Sequence, residues 1–309
     1  MLVLLAAIAP IILFLAGGAF LRRYVLPSPE FWAGLSWLSY WIFTPTLFIS
    51  SIGGADLTTV EPGPFALSVC LPILLVSMLA FASARLTRAN GPQLTSLMQG
   101  SIRINTYVGL IMASALHGEE GVATFALASA IVVPLVNVIC VATLSTHGTV
   151  DPAGRRPALW RDLITNPLIL GCLIGLILNM TGISVPAFLQ TTLDTVSAPA
   201  LLVGTLCAGA ALRFAFRIRD LLDVGVASLL KLGVLPLVAV STAIALGVHG
   251  SSLVSIVLIS AVPTAPSATI LAARMGGDVR LMASITGSQT VLAMATMPLV
   301  LVLADMLSA

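Results

Sequence analysis

Runs of about 20 apolar residues, separated by short polar turns, occupy almost the whole of this 309-residue chain. An α-helix rises about 1.5 Å per residue, so one such run crosses the roughly 30 Å hydrocarbon core of a bilayer. Ten membrane-spanning helices are expected, at approximately 2–21, 32–52, 63–84, 93–117, 120–145, 161–180, 187–212, 221–247, 252–273 and 279–304. Two of them are interrupted at their centres. The fourth carries Arg103-Ile104-Asn105-Thr106-Tyr107, and the ninth carries Pro263-Thr264-Ala265-Pro266-Ser267. Polar or unwound backbone at bilayer depth is costly unless it is buried in protein or lines a wet cavity. A matched pair of interruptions in corresponding places of two halves points to a transporter's binding site.

Composition agrees with this pattern. Hydrophobic residues make up 58% of the chain and charged ones 8%, against about 25% charged residues in a soluble domain. The fold class expected is therefore an all-α polytopic membrane protein. Met1–Phe20 is expected to be a retained first helix rather than a cleaved signal, because its basic flank, Arg22 and Arg23, follows the apolar run. Cys70, Cys140, Cys172 and Cys207 lie inside apolar runs without metal spacing and read as small core residues.

The basic residues order the spans. Arg22, Arg23, Arg85, Arg88, Arg155, Arg156, Arg161, Arg213, Arg217, Arg219, Arg274 and Arg280 all fall in or beside odd-numbered connections. The even-numbered connections hold Asp56, Glu61, Glu119 and Glu120 instead. Cytoplasmic loops are enriched in Lys and Arg, so the odd loops are expected inside and both termini outside. The two remaining cations, Arg103 and Lys231, lie about ten residues from the cytoplasmic boundary, roughly 15 Å deep. The longest connection, 147–160, divides the chain into a first five-helix repeat, 1–146, and a second, 161–309. An odd number of spans per half gives the halves opposite orientation, the inverted-repeat plan of many secondary transporters. Pro45, Pro72, Pro199 and Pro236 read as repeat counterparts or, equally, as ordinary kinks.

The interruptions carry the candidate chemistry. Pro263 and Pro266 each remove a backbone donor and crowd the preceding turn, so the segment unwinds. Pro266 then starts a half-helix through Ser267, whose free N–H groups and positive dipole end suit an anion. Asn105 and Thr106 compete with helical pairing through their side chains. Thr264, Ala265, Pro263 and Thr106 complete the expected binding segment, with Asn105 the residue expected to touch substrate. Arg103 has two open roles, binding a carboxylate or bracing a helix end. Lys231, the chain's only lysine, is open to substrate contact, proton coupling or bracing. Asp194 reads as a vestibule wall or as a proton or sodium site. Gln289 faces the same cavity or makes an interhelical hydrogen bond. Gly171 and Gly175 form a close-packing pair. No catalytic residue, metal site or cofactor is expected, and coupling to H+ or Na+ stays open; HExxH, GxSxG and a nucleotide-binding loop do not occur.

Several segments resemble one known family. Arg103-x-Asn105 followed by Gly109 is similar to the fourth-helix crossing of the auxin efflux carrier family, which includes bacterial malate/malonate-type permeases. So is Pro263-x-x-Pro266-Ser267 with the following Leu271–Asp278. Trp41–Phe48, Ser197–Gly204 and Lys231–Pro236 are similar to that family's second, seventh and eighth helices. The resemblance implies a scaffold of helices 1, 2, 6 and 7, and a transport core of helices 3–5 and 8–10 in which broken helices 4 and 9 cross near the midplane. It implies carriage of small organic carboxylate anions by an elevator-like alternating-access motion, often as a homodimer, in a bacterial inner membrane. Plant auxin carriers have Asn-Pro at the first crossing, whereas Thr106 follows Asn105 here, which favours a bacterial-type permease over auxin as substrate. The expected partners are a small organic anion, the lipid bilayer and a second copy of the chain, with no nucleic acid. An anion channel and a cation-coupled symporter for a larger organic anion are the alternative functions.

Overall fold

The computed structural model describes residues 2–58, 60–149, 164–183, 185–213 and 217–308. Most of the expected 147–160 connection, with Arg155, Arg156 and Arg161, lies outside the described residues. Every regular element described is a helix. The chain runs through α1 (Leu2–Phe20), α2 (Pro29–Leu38), α3 (Thr44–Gly53), α4 (Pro62–Thr87), α5 (Gly91–Ile102) and α6 (Thr106–His147). It continues through α7 (Pro167–Thr181), α8 (Ala187–Ser197), α9 (Ala200–Ala210), α10 (Leu221–Leu229), α11 (Leu235–Ala245), α12 (Gly250–Ala261), α13 (Ser267–Met275) and α14 (Val279–Ser308). Among the described residues, five helical stretches are long and apolar enough to cross a membrane: Pro62–Thr87, Gly91–His147, Ala187–Ala210, Leu221–Ala245 and Val279–Ala304. Pro167–Thr181 and Gly250–Ala261 are shorter apolar helices.

Local chemistry sets the boundaries. Asn90 and Gln93 form a reciprocal capping box that starts α5, each side chain satisfying the other's backbone N–H. Asn166 caps α7 ahead of Pro167, and Gly182 ends it in the left-handed region, where a glycine has no Cβ penalty. α6 kinks at His117 and Gly118, the latter at a φ of 56°. Prolines 45 and 236 each sit just past a single π-helical turn, Ser39–Phe43 and Leu230–Val234. The wide turn accommodates a proline that lacks an N–H and crowds the carbonyl four residues earlier.

The chain divides into two compact units. The first comprises Met1–Glu61, Tyr107–Ala130 and Trp160–Ala211. Its helices pack through small residues, as membrane helices do when lipid offers no hydrophobic contrast. A Cβ at Gly171 would press on the Pro45 backbone, and one at Gly175 on Ile52 and the Phe48 carbonyl, so α7 lies directly against α3. Asn179 Nδ2 donates to the carbonyls of Ile52 (3.0 Å) and Ala55 (2.7 Å) and pins the ends of those two helices. Gly18 and Gly209 let α1 and α9 approach at backbone distance.

The second unit comprises Pro62–Thr106, Ile131–Leu159 and Leu212–Ala309. Two half-length helices lie at its centre. Every residue of α5 from Leu94 to Ile102 is buried, and α12 is buried at Ser251–Leu253 and Ser255–Ala261. A helix buried on all sides belongs to a core. α4, by contrast, leaves Leu67, Leu71, Leu74, Leu75 and Met78 exposed at helical spacing, a stripe that suits lipid. Arg280 forms a forked ion pair with Asp220, and Asp278 caps α14 through the Leu281 N–H (2.9 Å). Cys140, Cys172 and Cys207 are buried, Cys70 is half-buried, and all four are free thiols.

Candidate functional site

Both half-length helices end in the same way. α5 stops at Arg103, whose φ/ψ of −67°/152° is extended and whose N–H still closes on the Gln99 carbonyl at 2.9 Å. α12 stops at Val262, with φ/ψ of −65°/148° and its N–H on the Leu258 carbonyl at 2.9 Å. After each stop comes a short extended stretch, and then a new helix begins at Thr106 or at Ser267. The two stretches are joined directly: the Asn105 N–H donates to the Pro263 carbonyl at 2.8 Å.

A buried polar network holds this junction. Thr264 Oγ1 donates to the Gly100 carbonyl (3.0 Å), and Gln289 Nε2 donates to the same oxygen (2.8 Å). Gln289 Oε1 in turn accepts the Thr264 N–H (3.1 Å). One amide on α14 therefore ties the C-terminal end of α5 to the unwound segment after α12. Thr264 and Gln289 are fully buried, and Asn105 is 2% exposed. Gln289 is an interhelical brace, one of the two roles open to it in the sequence. The carbonyl end of α12 has its own donor: Lys231 Nζ, also fully buried, lies 3.1 Å from the Ser260 oxygen.

The Gly100 and Ser260 carbonyls at the breaks are thus met by side-chain donors from elsewhere in the unit, whereas some freed N–H groups are not. Pro263 and Pro266 have none, and Thr264 gives its own to Gln289. Ala268 and Thr269 close onto Ala265 and Pro266. The N–H groups of Ala265 and Ser267 have no partner among the described residues. Both lie where the segment reaches the surface of its unit: Ala265 and Pro266 are half-buried and Ser267 is exposed. They cap the positive end of α13.

Arg103 is half-buried and lies beside the Cys140 thiol. Its Nη1 is enclosed without a hydrogen-bond partner, and among the described residues no carboxylate neutralises it. One turn earlier is a residue that the sequence reading passed over. Gln99 is fully buried, and neither its Nε2 nor its Oε1 has a partner among the described residues. Its signal in the sequence is an amide in the interior of α5, between Met98 and Gly100, about two turns past the capping Gln93.

The expected residues Arg103, Asn105, Thr106, Pro263, Thr264, Ala265, Pro266, Ser267, Gln289 and Lys231 all belong to the second unit. Asp194 does not. It is an exposed residue of the first unit, accepting from Ser50 Oγ (2.7 Å) and Gln190 Nε2 (3.0 Å). The described residues contain no cluster of His, Cys, Asp and Glu able to hold a metal ion.

Over residues 155–301 the sequence matches the family model described as membrane transport protein. That match spans just under half of the chain, and it is a similarity to membrane transport proteins. The resemblance first seen in Pro263-x-x-Pro266-Ser267, Lys231–Pro236 and Ser197–Gly204 lies within that match. With five helical stretches among its described residues long and apolar enough to cross a bilayer, the chain is an integral membrane protein. No curated protein matches the chain.

Proposed function

We propose that this protein is a secondary carrier of small organic carboxylate anions, of the auxin efflux carrier type that its sequence resembles. The observation that carries the reading is the Asn105 N–H to Pro263 carbonyl bond, which fixes two interrupted helices together beside unpaired N–H groups of Ala265 and Ser267. Backbone donors at a helix N-terminus favour an anion, and an arginine without a carboxylate partner adds positive charge. Asn105 and Thr106 supply side-chain contacts, and Arg103 binds or steers the carboxylate. In this reading the chain spans the bilayer ten times as two inverted five-helix repeats. Helices 4 and 9 are then α5 with the start of α6, and α12 with α13, crossing near the midplane with both termini outside. The membrane is a bacterial inner membrane, and the working form is a homodimer.

Transport follows an elevator-like alternation between a scaffold of helices 1, 2, 6 and 7 and a core of helices 3–5 and 8–10. Under this mechanism the contacts that Tyr107–Ala130 makes within the first unit are remade in each cycle. Tyr107 Oη accepts from Ser39 Oγ at 3.2 Å, and a Cβ at Gly204 would collide with the Tyr107 ring. Gly204→Leu is expected to slow uptake by about tenfold or more while leaving anion affinity within about twofold, because it obstructs a conformational step rather than the site. Uptake at the wild-type rate in that variant counts against the sliding contact.

Gln99 provides a second test. An unmade buried hydrogen bond costs about 1–3 kcal/mol, so Gln99→Met should stabilise the protein by an amount of that order. If the amide serves the anion or the water around it, the same variant loses about tenfold or more in anion binding. A variant that is more stable and binds normally removes Gln99 from the site. The function itself is tested by uptake into proteoliposomes combined with single-channel recording: saturable uptake without discrete currents supports a carrier, and discrete anion currents support a channel.

A further inference from the structure

The carbonyl end of α12 is where an unwound membrane helix offers a site to a cation. The last carbonyls of a helix have no partner within it and form the negative end of its dipole. In carriers built on broken helices, such ends and the unwound backbone next to them coordinate transported Na+. Here one carbonyl of that end is already engaged by a resident cation. Lys231 Nζ donates to the Ser260 carbonyl, in the last turn of α12, at 3.1 Å. The Ser260 hydroxyl is turned back onto the carbonyls of Ile256 (2.9 Å) and Val257 (2.8 Å), so it does not compete for that place.

Two further features separate this lysine from an ordinary helix residue. It is fully buried, and it sits in the π-helical turn Leu230–Val234. Such turns hold one extra residue and recur at functional sites. No carboxylate balances it among the described residues. The elements packed against its turn carry few ionisable groups: Cys70 and Arg85 on α4, Asp223 on α10, and Arg280 and Asp305 toward the two ends of α14. α5, α11 and α12 carry none, and Arg103 follows directly on α5. Asp223 is eight residues away along the chain, about 12 Å by helical rise. Arg280 is engaged by Asp220.

We propose that the ammonium of Lys231 is the resident cation of the anion site, standing on the α12 carbonyl end in place of a transported metal cation, so that anion transport requires no Na+. The inference rests on the anion-carrier reading and adds to it the absence of a co-ion. It also gives Lys231 a positioning role: it holds the end of α12 from which Val262 and Pro263 lead to Asn105.

The test uses the full-length protein in proteoliposomes, with radiolabelled malonate, succinate and benzoate as probes and choline replacing Na+. Wild-type uptake is expected to change by less than about twofold on this exchange. Lys231→Arg retains uptake, and Lys231→Met loses about tenfold or more, within the usual range of coupling between two sites. Binding of radioactive Na+ to purified protein gives a readout that a merely structural lysine does not move. Wild type binds none saturably, whereas Lys231→Ala, which opens the carbonyl end, gains saturable Na+ binding. Saturable Na+ binding by wild type, wild-type uptake falling about tenfold in choline, or no Na+ binding by folded Lys231→Ala overturns the proposal. If either neutral variant fails to fold, the wild-type Na+ measurements still decide. Should no probe be taken up under any condition, the anion-carrier reading fails, and the Na+ binding of wild type and Lys231→Ala still decides which cation occupies the α12 end.

Discussion

Replacing Pro263 and Pro266 together by alanine is expected to reduce anion uptake to background while the protein still folds. Each proline in a helix interior disfavours the helix by about 3 kcal/mol relative to alanine, so the double variant shifts this segment toward helix by roughly 6 kcal/mol. A continuous helix pairs the residue-265 and residue-267 N–H groups with carbonyls one turn earlier, and among those acceptors is the residue-263 oxygen that now receives the Asn105 N–H. The variant therefore loses the free donors and the link between the two breaks in a single step. Local pairing improves, so the melting temperature should hold or rise as uptake disappears. Proteoliposome uptake measured beside thermal unfolding checks this, and uptake above about a tenth of wild type would show that the break is not needed for the site.

Asn105→Ala is the second large effect. The backbone N–H remains, so its bond to the Pro263 carbonyl survives and the junction keeps its geometry. What is lost is the side-chain amide, held at 2% exposure between the two breaks. An amide contact to a charged carboxylate contributes about 1.5–3 kcal/mol, which corresponds to a loss of roughly 10- to 100-fold in apparent affinity. A modest fall in stability accompanies it, because the groups that the amide now meets lose a partner. Uptake of wild-type affinity in the folded variant would remove Asn105 from the binding role.

The helix breaks were legible because their causes are local. Two prolines three residues apart and an Arg-Ile-Asn-Thr run in an apolar span carry the signal without any tertiary information. The packing of Gly171 and Gly175 was legible from their spacing. The partners were not. Gln289 reaches across 189 residues to the Gly100 carbonyl and across 25 to Thr264, and a pattern of residue types does not choose among such distant pairings. The contact of Lys231 Nζ with the Ser260 carbonyl at 3.1 Å, 29 residues on, was equally illegible.

Gln99 was missed because Thr95, Ser96 and Ser101 surround it, and one more polar residue in that helix looks like ordinary interhelical bonding. Its neighbours do bond locally: Thr95 and Ser96 to the Pro92 carbonyl, and Ser101 to that of Leu97. Gln99 alone stays unpaired, which only coordinates reveal. Pro45 and Pro236 were visible as kinks, but not the π-helical turns that precede them. The second of these turns carries Lys231, so a feature of apparently local interest bears directly on the site.

The central claim is that the joined breaks form a site for a small organic anion, and the most direct measurement is uptake of radiolabelled carboxylates by the purified, reconstituted protein beside Asn105→Ala. The account predicts saturable uptake of at least one small carboxylate by wild type and background uptake by the variant. Saturable uptake of an organic cation with no carboxylate transported, or equal carboxylate uptake by the two proteins, would contradict it.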